Sequence, residues 1–300
     1  EFYDKEDSDN ICYLCNKPSY KVLYKVKHFD FPFTFMKCQC GIIKQTPMPN
    51  ELFFKWFFNS ELFTSSRKSK KDEIWGYYDY FADEPCRLKT SKHRYAKLRK
   101  VFEENKSLNI CKIGPSTGTF LHIANQNGHN AIGCDVSSKF VEYAKNNYNV
   151  HIDNGRFERM DYKNSQFDAI LLFSVIENVP NQVEFLEAIS RKLKNNGLFI
   201  FNFVDMRGNL VEKVQKDRYF IYRPPICYVY DLPVMKKVLE KFSFSIIDIF
   251  SDIRYMHIEK IATLLGWKWP LTASKLLGIN RTAFPIPVYP SRIIVARKVS

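Results

Sequence analysis

Long apolar runs are missing from this 300-residue sequence, although 45% of its residues are hydrophobic. No run reaches the length of about 18 apolar residues that a membrane-spanning helix needs, so no transmembrane helix is predicted. The first residue is Glu1 rather than Met, and the segment that follows is acidic and does not resemble a signal peptide. We therefore expect a cytoplasmic protein of one large or two small domains, with a natural N-terminus upstream of Glu1.

The dinucleotide-binding pattern G-x-G-x-x-G is also absent, and a shorter turn takes its place. This turn, residues 114–118, follows a short apolar strand at residues 110–113 and precedes a helix whose apolar face includes Phe120. A second strand ends at Asp135, about 20 residues after the turn begins. Glycine at both ends of the turn lets backbone approach a ligand, and the helix N-terminus adds unpaired N–H groups. Because a carboxylate at this strand end can accept both ribose hydroxyls, the βαβ unit predicts nucleoside binding.

Three more motifs follow this unit along the chain. Phe167-Asp168 opens an apolar run, Glu177 follows that run, and Gly197 lies between a helix end and another apolar strand. With the turn at residues 114–118, these motifs resemble class I S-adenosylmethionine-dependent methyltransferases. The resemblance implies an α/β fold with a doubly wound, seven-stranded, mostly parallel Rossmann-like sheet. Its last strand, residues 293–296, is expected to lie antiparallel between the fifth and sixth strands.

The resemblance also implies that S-adenosylmethionine is the cofactor and assigns residues to it. Phe157 is the candidate for the adenine contact, and Tyr80 belongs to a segment that packs over the cofactor or acceptor in relatives. Ordinary core packing is the alternative for either ring. The expected cofactor-binding residues are Tyr80, Gly114, Pro115, Ser116, Gly118, Asp135, Val136, Phe157 and Phe173.

Two residues depart from the family pattern. Lys112 stands where relatives have Asp or Glu to hold the ammonium group of the cofactor, and a Lys there would repel that group. Ser116 replaces a glycine and narrows the pocket. A binding or scaffold protein that kept the fold but lost turnover is therefore the alternative to an enzyme.

The candidate catalytic residues are Glu177, Asn178, Tyr222 and Tyr228. Relatives often carry Glu-His where this chain has Glu177-Asn178, and an Asn side chain cannot act as a general base. Glu177 can do so if burial raises its pKa; its alternative role is a structural hydrogen bond to the loop backbone. Relatives often have a His within residues 218–228, and the two tyrosines are the hydroxyl replacements available there.

Eight cysteines are present, and four of them form two close pairs near the N-terminus. Cys12 and Cys15 have the C-x-x-C spacing of a zinc knuckle, and Cys38 and Cys40 can complete a structural four-thiolate Zn²⁺ site. Free buried thiols are the alternative, and disulfides are not expected. A zinc ribbon that ends in residues 40–49 resembles the sugar C-methyltransferases and surface-polysaccharide methyltransferases within the family.

We therefore predict three segments. Residues 1–50 form a zinc ribbon, residues 51–107 a helical linker over the cofactor, and residues 108–300 the methyltransferase domain. A helical insertion at about residues 256–280 is expected to act as a lid or to rest on a membrane interface.

The net charge of +13 is carried mostly by the C-terminal part; it indicates either an anionic partner or only solubility with a lysine-rich composition. The preferred acceptor is a nucleotide-linked sugar or a lipid-linked surface-glycan precursor, with peripheral membrane contact as a further option. RNA methylation is the less favoured alternative, because the sequence lacks an Asn-Pro-Pro-Tyr-type tetrad and an aromatic base-stacking platform.

Overall fold

The computed structural model describes residues 2–4, 11–28, 31–64, 79–102, 106–258, 260–261 and 281–299. Its strands are β1 (Tyr20–His28), β2 (Phe31–Cys38), β3 (Ile43–Thr46), β4 (Asn109–Ile113), β5 (Asn130–Asp135), β6 (Ile152–Asn154), β7 (Phe167–Leu172), β8 (Leu193–Val204), β9 (Tyr228–Val229), β10 (Phe244–His257) and β11 (Ala283–Lys298). Its α-helices are α1 (Glu51–Asn59), α2 (Glu61–Thr64), α3 (Glu84–Leu98), α4 (Thr119–Gln126), α5 (Ser138–Tyr148), α6 (Gln182–Lys192), α7 (Leu210–Gln215) and α8 (Leu232–Lys241).

A seven-stranded sheet with the order β10-β11-β8-β7-β4-β5-β6 forms the centre of the protein. Neighbouring strands from β8 to β6 are parallel, whereas β11 runs antiparallel to both β8 and β10. The predicted doubly wound, mostly parallel fold and the antiparallel last strand are confirmed. The strand order reverses beside β4, and parallel α/β sheets bind ligands at such a reversal.

Both faces of this sheet are buried. Along β7, Ala169 and Leu171 belong to one apolar cluster, and Ile170 and Leu172 belong to another. Since successive side chains of a strand point to opposite faces, the two clusters lie on opposite sides of the sheet. This explains why the central strands read as continuous apolar runs instead of alternating ones.

A second, four-stranded antiparallel sheet has the order β1-β2-β3-β9. Its last strand comes from the C-terminal half, so the N-terminal unit does not end at residue 50 as a separate sheet. The backbone N–H of Gln45 donates to the Cys227 carbonyl at 2.8 Å, and the N–H of Cys227 donates to the Glu177 carbonyl at 2.7 Å. The small sheet is thus joined by backbone hydrogen bonds to the loop that follows β7.

Helices α1, α2 and α3 occupy the segment predicted to be helical, and the Asn50 side chain caps α1 by accepting from the Phe53 N–H. At the other end of the chain, β10 and β11 correspond to the expected sixth and seventh strands but are longer than expected. Their pairing extends along β10 from Phe244 to His257. The predicted lid lies almost entirely outside the described residues. Within the described part of the chain, none of the helices combines the length and the apolar character needed to span a membrane.

Candidate active site

A cavity of about 450 Å³ opens at the carboxyl ends of β4, β5 and β7. Its volume lies within the range of about 300–1,000 Å³ found for small-molecule sites. Eight of the nine predicted cofactor residues line it: Tyr80, Gly114, Pro115, Ser116, Asp135, Val136, Phe157 and Phe173. The ninth, Gly118, lies at the N-cap of α4. The sequence pattern therefore leads to one crevice in the folded chain.

The turn after β4 depends on its two glycines. Gly114 has a φ of +60°, and a Cβ there would lie 2.7 Å from Val175 Cγ2. Gly118 has a φ of +83°, and a Cβ there would lie 2.8 Å from both Ala144 and Val150. An L-residue with a side chain is strained at such φ values, so glycine sets the path of the turn at both ends.

Asp135 is buried at the end of β5, directly across from the turn. One carboxylate oxygen accepts the Ser116 N–H at 3.1 Å, and the other accepts the Ser137 N–H at 2.9 Å. Burial raises the pKa of Asp135, while these two N–H groups and the nearby Lys112 act to lower it. A carboxylate has about four acceptor positions, so this one keeps capacity for ligand hydroxyls.

Tyr80 covers the turn from the opposite side. Its hydroxyl is 2.5 Å from Ser116 Oγ, which also accepts the Thr117 N–H at 2.6 Å. The Arg87 guanidinium lies 3.4 Å from the centre of the Tyr80 ring, and the ring also packs against Phe140. Ser116, which replaces the usual glycine, therefore anchors an aromatic cover over the crevice.

The two predicted phenylalanines occupy different ends of the cavity. Phe157 lies beyond β6 and packs edge-on against Phe185. Phe173 follows β7 and faces cations, with the Arg94 guanidinium carbon 4.3 Å and the Lys112 ammonium 5.0 Å from its ring centre. A cation also lies near Phe157, with the Lys192 ammonium 4.8 Å from its ring centre, but Lys192 does not line the cavity. We call the part of the crevice at Phe157 the aromatic end and the part at Phe173, where Arg94 and Lys112 line the wall, the cationic end.

Lys112 points into the cationic end and is only 5% exposed. Its ammonium donates to the Gly114 carbonyl at 3.1 Å. Burial, with a further contribution from Arg94, lowers the pKa of Lys112 to about 7.

A buried ion-pair network behind this end was not predicted from the sequence. Arg94 of α3 donates two hydrogen bonds, at 2.9 and 2.6 Å, to Asp252 of β10. Asn202 of β8 and Arg254 also donate to Asp252, and Arg254 reaches Ser174 Oγ at 2.8 Å. Burial alone would raise the pKa of Asp252, but the two guanidinium groups outweigh it and lower that pKa to about 2.

Glu177 and Asn178 have different surroundings. Glu177 is buried outside the cavity lining and accepts the Val204 N–H at 2.8 Å, which is the structural bond considered as its alternative role. Burial raises the pKa of Glu177 to about 7. Asn178 lines the cavity, donates to the Ser174 carbonyl at 3.2 Å, and has a buried Oδ1 without a hydrogen-bond partner in the described part of the protein.

Tyr222 and Tyr228 do not line the cavity, contrary to their predicted role. Tyr222 is 1% exposed, packs edge-on against Phe35 of the small sheet, and donates its hydroxyl to Glu212 at 3.0 Å. Tyr228 lies in β9 and packs edge-on against Tyr13. Because pairing of β9 with β3 draws this segment to the small sheet, both rings serve packing there.

The four N-terminal cysteines converge at one end of the small sheet. Their Sγ atoms all lie within 4.8 Å of one another, and the Cys12–Cys40 and Cys15–Cys38 pairs are each 3.5 Å apart. Tetrahedral Zn²⁺ with Zn–S bonds of about 2.3 Å separates its sulfur ligands by about 3.8 Å. All eight cysteines of the chain are free, and this cluster can hold a metal ion.

Comparisons with known proteins agree with the fold. Residues 111–201 match the family model for a methyltransferase domain. An uncharacterised protein of Methanocaldococcus jannaschii is 30% identical over 132 residues, which are 43% of this chain and 51% of that protein. The chain therefore spans about half the length of this curated relative.

Two solved structures show the same architecture. Magnesium protoporphyrin IX methyltransferase of Synechocystis PCC 6803, with bound SAH, has a TM-score of 0.52 at 14% identity and covers 83% of this chain and 100% of its own. The YcgJ protein of Bacillus subtilis has a TM-score of 0.50 at 15% identity and covers 70% of this chain and 99% of its own. The domain match, the strand order and these likenesses give the chain the fold of class I methyltransferases.

Proposed function

We propose that the protein transfers a methyl group from S-adenosylmethionine, held in the cavity beside β4 and β5, to a small anionic acceptor. The observation that carries this proposal is the buried Asp135, which is hydrogen-bonded to the glycine turn and, with that turn, lines a cavity of about 450 Å³. A carboxylate in that position suits ribose hydroxyls, and the first turn of α4 offers its N–H groups. Phe157 suits the adenine ring at the aromatic end.

The cofactor supplies an electrophilic methyl group when bound, and the residues of this chain orient the reactants. Asn178 lines the cavity, but its Oδ1 is buried and has no hydrogen-bond partner in the described part of the protein. It cannot remove a proton, and Glu177 bonds the Val204 N–H outside the cavity. We therefore infer that the rate depends mainly on positioning, which can contribute several kcal/mol to an attack on a methyl group.

The acceptor that we propose is a sugar attached to a nucleotide or to a lipid carrier. Support comes from Arg254, which lines the cavity on the side of β10 and can donate to a ligand phosphate. The chain is also strongly basic, with a net charge of +13. A lipid carrier would bring the protein into peripheral contact with a membrane.

Calorimetry with S-adenosylhomocysteine tests the cofactor part of this proposal. We expect binding by the unsubstituted protein and a loss of about 10-fold or more for Asp135→Asn, because a hydrogen bond to a charged acceptor contributes about 1.5–3 kcal/mol. Equal affinities would contradict the assignment of Asp135. Transfer of labelled methyl groups to a panel of nucleotide-sugars tests the acceptor.

A binding protein without turnover is the second candidate, and Asn178 in place of a histidine favours it. Single-turnover assays separate the two, because a binding protein retains the labelled cofactor without product. RNA methylation is less favoured. It would be indicated by filter binding to RNA with a steep dependence on salt.

We also propose that the four-cysteine cluster holds one structural Zn²⁺. Support comes from the convergence of four sulfur atoms and from the two tight loops that carry them. In the first loop the Asn16 N–H donates to the Cys12 carbonyl at 2.8 Å, and in the second the Gly41 N–H donates to the Cys38 carbonyl at 2.9 Å. Four protein thiolates complete a tetrahedral shell, so the ion would stabilise the fold and take no part in methyl transfer.

A further inference from the structure

Among the described cations that line the cavity, Lys112 alone has no salt bridge with a carboxylate. Three cations on the cavity wall pair with carboxylates one to one: Arg87 with Glu84, Arg156 with Glu158, and Lys260 with Asp83. The remaining charged groups lie around the cationic end. Arg94 and Arg254 both pair there with Asp252, which lies behind the cavity wall, whereas Lys112 and Asp135 line the wall without a salt bridge between them among the described residues.

Both carboxylates near Lys112 already accept hydrogen bonds from other groups. Asp252 accepts from both arginines and from Asn202, and Asp135 accepts backbone N–H groups on each oxygen. Lys112 is left with the Gly114 carbonyl, and among the described residues no carboxylate forms a salt bridge with its ammonium. A buried ammonium without a counter-ion loses its proton more readily, and an anion from outside the chain would stabilise its charged form.

We propose that Lys112, with Arg94 beside it, forms a subsite for a carboxylate group of the bound ligand. This inference rests on the proposed function. As a consequence, the methionine part of the cofactor would bind with its ammonium and carboxylate groups exchanged. Relatives place an acid here that holds the cofactor's ammonium, whereas in this chain the cofactor's carboxylate would lie at the end of β4. A carboxylate on the acceptor is the other source of the same chemistry.

The neighbours of Lys112 agree with this assignment. Arg94 from α3 repels the ammonium, whereas Asp135 from β5 attracts it without forming a salt bridge with it among the described residues. The Phe173 ring after β7 lies 5.0 Å away and excludes water from that side. A ligand carboxylate between Lys112 and Arg94 would replace the missing negative charge in a dry environment, where ionic hydrogen bonds are strong.

Calorimetry with two adenosine compounds tests the subsite. S-Adenosylhomocysteine carries the carboxylate and ammonium, whereas 5′-methylthioadenosine lacks both. We expect Lys112→Gln to weaken S-adenosylhomocysteine about 10-fold or more and Lys112→Glu to weaken it further, with 5′-methylthioadenosine unchanged. Lys145→Gln, which removes an exposed lysine of α5, is the matched control and should change neither affinity.

The proposal would be overturned by the opposite order of affinities, in which Lys112→Glu binds S-adenosylhomocysteine most tightly and the unsubstituted protein binds it most weakly. That order would show that Lys112 only repels the ammonium group of the ligand. If the Lys112 variants bind S-adenosylhomocysteine as tightly as the unsubstituted protein does, their affinities for UDP-glucuronate and UDP-glucose are measured next, in the presence of S-adenosylhomocysteine. If Lys112→Gln weakens the binding of UDP-glucuronate but not of UDP-glucose, the carboxylate that Lys112 binds belongs to the acceptor. If neither comparison shows a change in affinity, the proposed subsite is refuted. Failure of the unsubstituted protein to bind either adenosine compound would refute the proposed function itself.

Discussion

Replacement of Lys112 by Met should stabilise the ligand-free protein, and by an amount that depends on pH. Burial lowers the pKa of Lys112 from 10.5 to about 7. The unfolded chain therefore holds this proton up to about pH 10.5, and the folded chain releases it above about pH 7. Raising the pH between these values favours the folded state of the parent protein but not of the variant, which has no group to titrate.

The size of the effect follows from the same two pKa values. A difference of one pKa unit corresponds to about 1.36 kcal/mol, so the Lys112→Met variant should gain about 5 kcal/mol at pH 6. Near pH 9 the gain should fall to about 2 kcal/mol, because the folded parent is then largely neutral at this position. Methionine has nearly the length of lysine and fills the same space without a charge.

Urea denaturation of the ligand-free parent, Lys112→Met and Lys145→Met at pH 6, 7.5 and 9 measures this effect. The exposed Lys145 supplies the matched control, and its substitution should leave stability almost unchanged at each pH. A gain for Lys112→Met that does not decrease with pH would refute the reasoning. So would a loss of stability at pH 6, since the ammonium would then have a favourable partner.

Three further predictions concern other parts of the chain. Cys15→Ser should lower bound zinc from about one ion per chain, because three thiolates bind more weakly than four; elemental analysis after gel filtration measures this, and unchanged zinc would exclude the site. Glu177→Gln should raise stability by about 3 kcal/mol at pH 8 and not at pH 4, because burial raises the Glu177 pKa from 4.5 to about 7 and the charged form is disfavoured above that pH. The same difference in unfolding free energy between the variant and the parent at both pH values would contradict this prediction. Gly118→Ala should lower the unfolding free energy by about 2 kcal/mol or more, because its Cβ would lie 2.8 Å from Ala144 at a φ of +83°. Ala124→Gly, a cavity-forming change in the same helix, calibrates that measurement, and a neutral Gly118→Ala would show that the turn can relax.

Local patterns predicted the parts of the site that lie close together in the sequence. The turn at Gly114, the helix after it and Asp135 belong to one βαβ unit, whose handedness and short connections fix their relative positions. The four cysteines were found for the same reason, since each pair is set by a tight knuckle. The central strands were recognisable because burial on both faces requires apolar runs.

Long-range partners could not be predicted in this way. Arg94 and Asp252 meet because α3 packs against β10, and neither residue carries a local signal of the other. Tyr222 and Tyr228 were placed at the crevice by their position in the chain, whereas pairing of β9 with β3 draws them to the small sheet. A two-residue strand such as β9 is too short to give a periodic pattern.

The backbone link through Cys227 has a consequence for the modularity of the protein. Two successive main-chain hydrogen bonds connect the cysteine-bearing sheet to the loop that carries Asn178. They join Gln45 to Cys227 and Cys227 to Glu177. Exchanging the N-terminal part between homologues would therefore disturb the loop that carries Asn178. A shift in the small sheet would be transmitted to the loop that carries Asn178, so recombination between related chains should succeed only when residues 226–230 are exchanged together with the first 50.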